Sequence, residues 1–180
     1  MRAALTAFAA AASLAVPAAA MEWRLDRDAS SVEFTATAFN QPVDGAFTDF
    51  DADITLDPEA LEGARIDAVV RAQPNEIKAE YVDSLNSSAG LAPGDHPEMR
   101  FTADAITRTE EGYAAEGEIT IKGVSQPFTL PFTLDIEGDR AIAESVFTLD
   151  RTDFGVGSGS WGDVGEALEV RLHVEADRAP

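Results

Sequence analysis

Residues Gly117–Leu134 read GEITIKGVSQPFTLPFTL. Ahead of Lys122-Gly123, Ile119 and Ile121 alternate with Glu118 and Thr120; beyond it, Phe128, Leu130, Phe132 and Leu134 alternate with Thr129, Pro131 and Thr133. An apolar residue at every second position marks a strand with one buried face. Two such runs around a glycine-containing turn predict a strand-turn-strand unit. Pro131 cannot donate to a ladder, so a bulge or an incompletely paired side is expected there.

The same period extends in both directions. Val32, Phe34, Ala36 and Ala38 alternate with Glu33, Thr35 and Thr37, and Phe50, Ala52, Ile54 and Leu56 with Asp49, Asp51, Asp53 and Thr55. Ile66–Ala72, Met99–Ala105, Tyr113–Ile121, Phe128–Ile136, Ala143–Leu149 and Leu168–Val174 follow the pattern. The second of these runs carries Ala105 as an inward position. Glycine, proline or aspartate separates most runs, as turns require. One segment differs: in Asn75–Ser87, Ile77, Tyr81 and Leu85 fall four apart, on one face of a helix. Asn75 is the expected N-cap and Glu76 the first-turn acid. The fold expected is all-β, about eight or nine antiparallel strands with one short helix, as a barrel or a sandwich.

A barrel of about eight strands is either filled by side chains or holds one small ligand. The inward candidates mix phenylalanines at 34, 50, 101, 128, 132 and 147 with alanines at 36, 38, 52, 68, 103 and 143. That mixture fits an apolar cavity or a core in which small residues offset large ones.

Residues 1–20 combine Arg2, a short apolar stretch free of acids and Ala18-Ala19-Ala20, the layout of a secretory signal peptide cleaved after Ala20. Its apolar stretch is shorter than the roughly 20 residues of a membrane span. Cleavage leaves 160 residues (21–180), one domain with a real core. Twelve cations then face 33 acids, a net charge of −21. Such a balance argues against nucleic acid, whose phosphates need a basic face, and against anionic lipid. Cysteine is absent, which excludes disulfides, a thiol nucleophile and thiolate metal sites.

Familiar chemical motifs fail on inspection. Gly157–Gly162 reads GSGSWG and matches G-x-G-x-x-G, but an alternating strand follows instead of a helix aimed at a pyrophosphate. It reads as a rim loop carrying an exposed or lidding Trp161. Asp49, Asp51 and Asp53 open like a calcium loop, yet Ile54 and Ala60 stand where glycine and glutamate are needed. His96 in a turn and His173 facing outward form no zinc pattern, and no G-x-S-x-G elbow occurs. Arg151 and Asp153 are expected to form a structural ion pair at the mouth. No catalytic, metal or cofactor residue is expected.

Three stretches carry a resemblance: Trp23–Phe34 (WRLDRDASSVEF) followed by Val43–Phe47; His96–Phe101 (HPEMRF) followed by Gly117–Leu134; and Leu149–Gly157 (LDRTDFGVG) ending in EVRLHVEA. In that order they resemble the YceI-like family of exported lipid- and polyisoprenoid-binding proteins, over residues 22–177. The resemblance implies a lipocalin-like antiparallel barrel with a long apolar tunnel for an isoprenoid, a quinone or a fatty-acyl chain, a periplasmic address and no catalysis. Ser30 replaces a histidine frequent in that family, and Ser88–Ala92 replaces an aromatic lid. The expected ligand-binding residues are Phe34, Phe50, Ile54, Phe101, Ile119, Phe128, Leu130, Phe132, Phe147 and Trp161. The ligand is an isoprenoid or acyl lipid, with a homodimer or a membrane redox partner as further possible associations. The alternative is a non-enzymatic partner of a membrane cytochrome b-type protein, with the barrel packed solid.

Overall fold

The computed structural model describes residues 21–73 and 76–180. The proposed signal peptide lies outside the described residues, as does Asn75. Ten strands form among the described residues: β1 (Glu22–Ala38), β2 (Gln41–Phe47), β3 (Phe50–Thr55), β4 (Arg65–Arg71), β5 (Glu76–Ile77), β6 (Glu98–Arg108), β7 (Tyr113–Ile121), β8 (Val124–Glu137), β9 (Arg140–Asp150) and β10 (Ala167–Arg178). Helix α1 (Ala79–Asn86) precedes β6, and a single 3-10 turn (Arg151–Phe154) follows β9. Every ladder is antiparallel, and β10 pairs back onto β1. Eight strands therefore close into a barrel, in the order β1-β3-β4-β6-β7-β8-β9-β10. Strands β2 and β5 hang from β1 outside that ring.

The ring is two half-sheets joined at one end. Strand β1 meets β3 only over Glu22–Arg24 against Asp53–Thr55, then continues against β2 from Val32 to Ala38. Strand β8 meets β9 only over Thr133–Glu137 against Glu144–Arg140. Above these rungs the half-sheets β9-β10-β1-β2 and β3-β4-β6-β7-β8 part. No register shift occurs at Pro131, which lies opposite Ala114 in a regular β7–β8 ladder. The unpaired side expected at that proline is the one facing β9, where the ladder begins only at Thr133.

Three local readings need correction. The helix begins at Ala79, after Glu76 and Ile77 have paired with β2; Lys78 stands at its N-cap without a side-chain capping bond. Ala105 is exposed and Ile106 is buried in its place, because β6 shifts register between Ala103 and Ala105. Arg151 makes no ion pair with exposed Asp153 and donates to backbone carbonyls instead. The period-two argument breaks wherever a bulge inserts one residue, since every later side chain then changes face.

Candidate functional site

Two apolar clusters close the barrel at its ends. The floor gathers Trp23, Leu56, Ile106, Tyr113, Ala115 and Phe132. The Trp23 indole Nε1 donates to the Leu56 carbonyl at 2.8 Å, and Arg178 lies 5.7 Å from its ring centroid. The Tyr113 and Phe132 rings stack at 5.3 Å. The opposite end is lidded by Ala72, Leu91, Phe154 and Val156, with Leu85 of α1, Met99, Ile121 and Trp161 packed against them.

Between floor and lid lies a cavity of about 330 Å³ walled by inward side chains. Phe128 links its aromatic lining, with ring centroids 6.1 Å from Phe101 and 5.0 Å from Phe147. Among the described residues no large side chain is fully buried, and Phe34, Phe101, Phe128 and Phe147 are only half-buried, bordering space instead of filling it. The structure brings all ten expected side chains, Phe34, Phe50, Ile54, Phe101, Ile119, Phe128, Leu130, Phe132, Phe147 and Trp161, to this one cavity. They are not equivalent: Phe132 belongs to the floor and Trp161 to the lid, while Phe101, Phe128 and Phe147 stand along the wall.

Sequence reasoning passed over other lining residues. Trp23, Leu25, Leu91, Phe154, Val170 and Leu172 also face the cavity. Val170 and Leu172 carried the alternation signal; Leu91 and Phe154 lie in loops, where no period points inward.

The lid is tied down by cations. Arg151 is buried and donates through Nε to Gly165 O at 2.9 Å, through Nη1 to Val156 O at 2.6 Å, and through Nη2 to Val164 O at 2.7 Å and Trp161 O at 3.3 Å. Four carbonyls around one guanidinium fold the segment 151–165 over the barrel. Gly157 has φ +65° and packs beneath Trp161, where a Cβ would overlap the indole ring. The glycine run thus serves a tight turn and a close approach, as a rim loop does. Lys122 Nζ donates to Ala89 O at 3.3 Å and Gly155 O at 3.1 Å, and Gly157 N to Ala89 O at 2.6 Å.

The outer wall holds the charge. Arg140 contacts Asp26 (2.9 Å), Glu175 (2.6 Å) and Asp177 (3.0 Å). Its hydrogen bond holds the Asp26 carboxyl below the usual range. His173 Nε2 lies 3.0 Å from Glu175 and Nδ1 3.4 Å from Glu144. The Glu175 hydrogen bond raises the His173 pKa, and the His173 bond, ahead of Arg140, lowers that of Glu175. Asp51 pairs with Arg27 and Asp49 lies 3.9 Å from Arg71, so these acids form the wet face of a strand.

Comparison with known proteins follows this architecture. The sequence pattern described as the YceI-like domain matches residues 23–176. A UPF0312 protein of Yersinia enterocolitica, YE1254, is 27% identical over 172 residues, spanning 90% of this chain and 89% of that protein. The crystal structure of Burkholderia cenocepacia BcnA superposes with a TM-score of 0.79 at 24% identity, over 84% of this chain and 99% of that one. A polyisoprenoid binding domain from Saccharophagus degradans, implicated in plant cell wall breakdown, superposes with a TM-score of 0.68 at 10% identity, over 88% and 99%.

Proposed function

The chain belongs to the YceI-like domain family, and from that premise we propose that it is a carrier that sequesters one long apolar molecule, a polyisoprenoid, isoprenoid quinone or fatty-acyl lipid, inside its barrel. The observation that carries this reading is the hollow interior of about 330 Å³ between a packed floor and a tied lid. Its size falls within the roughly 300–1,000 Å³ of small-molecule sites. Transfer of hydrocarbon from water gains about 25 cal/mol per Å² buried, so binding needs no charged anchor. The ten lining residues named above make the contact, and no turnover is involved. The polyisoprenoid-binding domain of similar fold supports the ligand class.

The alternative, a membrane-redox partner with a solid barrel, calls for an interior without such space. We further propose that residues 1–20 direct export and are removed, placing the carrier in the periplasm. Mass spectrometry of an organic extract from natively expressed protein tests the carrier reading. A stoichiometric prenyl or acyl lipid is the expected result. An extract free of lipid, from protein that also fails to take up a fluorescent fatty acid, removes it. Intact-mass measurement of exported protein should show Met21 as the first residue.

A further inference from the structure

Packed clusters occupy both ends of the cavity, and between them the half-sheets part along two seams. Of the two seams between the half-sheets, the β1–β3 seam is partly covered: β2 continues along β1, and Arg27 of β1 pairs with Asp51 of β3. The β8–β9 seam has no such cover. Above Thr133↔Glu144, residues 124–132 and 145–150 have no mutual ladder. Among the described residues, the one side-chain hydrogen bond across it runs from the Ser145 hydroxyl to the Pro131 carbonyl. Pro127 and Pro131 remove two backbone donors from β8 along this stretch.

The seam is apolar inside and out. Two of the four large hydrophobic side chains exposed among the described residues stand on its open strands, Val124 and Val146, the latter 59% accessible, and a third, Ile142, lies on a bonded rung just below. Single exposed aliphatics are ordinary, but three beside one break in a barrel wall mark a surface. Behind them the rings of Phe128 and Phe147 meet at 5.0 Å, and the cavity lining reaches Glu144 and Ser145. Size adds a second argument. At about 30 Å³ per water-sized group, the cavity holds roughly a dozen such groups. A longer chain has to project through the wall.

We propose that the β8–β9 seam is the entry site for the hydrocarbon tail of the ligand, and the place where a chain longer than the cavity emerges. This rests on the carrier reading above. The tail passes between Phe128 and Phe147 while lid and floor stay closed.

The chain has no cysteine, so thiols can be placed at will. Thr129→Cys/Thr148→Cys puts one thiol on each outward edge of the unpaired stretch. Thr107→Cys/Ala114→Cys puts the same pair on a lower rung of the β6–β7 ladder, which is already bonded. Each variant is bridged with a short bifunctional maleimide, and a second sample is capped with the monofunctional reagent. Stopped-flow fluorescence then follows transfer of pyrene-labelled dodecanoic acid from phosphatidylcholine vesicles. The bridged upper variant should load about tenfold more slowly or worse, as a blocked gate does. Its capped form and the bridged lower variant should load like the parent. Equal loading by the bridged upper variant overturns the entry site and leaves the carrier intact. Failure of the parent protein to bind the probe overturns both.

Discussion

Phe132 and Phe128 point into one barrel from one strand, yet they do different work. Phe132 is buried and stacked on Tyr113 in the floor, where its removal leaves a void in packed surroundings. Phe132→Ala should cost about 3–5 kcal/mol in chemical denaturation, the range for a filled core. Phe128 borders open space between Phe101 and Phe147. Phe128→Ala should cost less than Phe132→Ala and weaken the titration endpoint of a fluorescent fatty acid. The reverse order would mean that the space lies at the floor. Arg151→Met makes a second residue-scale prediction. It strips the donor from four carbonyls, and a buried orphaned polar group costs about 1–3 kcal/mol. The loss should exceed about 2 kcal/mol by denaturation, with Trp161 fluorescence shifting as its loop comes loose.

At the scale of elements, strand β10 shows how charge on the wet face shapes stability. His173 has its pKa raised by Glu175, so its contribution is complete below its ordinary pKa of about 6.5 and is lost as pH rises through the raised value. His173→Gln should therefore lose most against the parent near pH 6 and little near pH 8, read from paired melting curves. Equal losses at both pH values would show that the imidazolium is not the source. Asp26 and Glu175 act with the opposite sign. Their depressed values give stability that is present at neutral pH and lost on acidification through the carboxylate range. The long alternating strands were legible because one face of each is apolar. Strand β2 was not read as a strand of its own: Pro42 and Asp44 interrupt the pattern, and Gly45 lies under the Phe34 ring, which occupies the place of a side chain. The four-residue excursion Arg27–Ser30 in β1 was likewise silent. The Ser30 hydroxyl closes it by donating to Asp26 O at 2.6 Å and accepting from Glu175 N at 3.0 Å. Nine of the ten expected site residues reach the cavity because parity decides inside from outside, while Trp161 reaches it from the rim loop. Which of them form floor, wall or lid depends on barrel height, and period two does not encode height.

For the molecule as a whole, the hollow interior couples occupancy to stability. A ligand at one hundred times its dissociation constant should add about 2.7 kcal/mol, raising the melting temperature with ligand concentration. A saturating fatty acid that leaves the melting curve of stripped protein unchanged contradicts the cavity as its site. The ring also closes through its outermost strands, Trp23 against Arg178 and Phe34 against Val170. That closure has a kinetic consequence. The two strands that seal the barrel are the first and the last of the described strands, their partners about 134 to 155 residues apart along the chain, so the closing contact carries a large loop entropy. Topologies dominated by such distant pairings fold in about milliseconds to seconds, not microseconds. A chain cut before Ala167 leaves β1 and β9 each with a bare edge and should refold to no cooperative state. Until β10 is made, nascent chains of this protein should remain open, and single-exponential refolding should be limited by the meeting of β1 and β10.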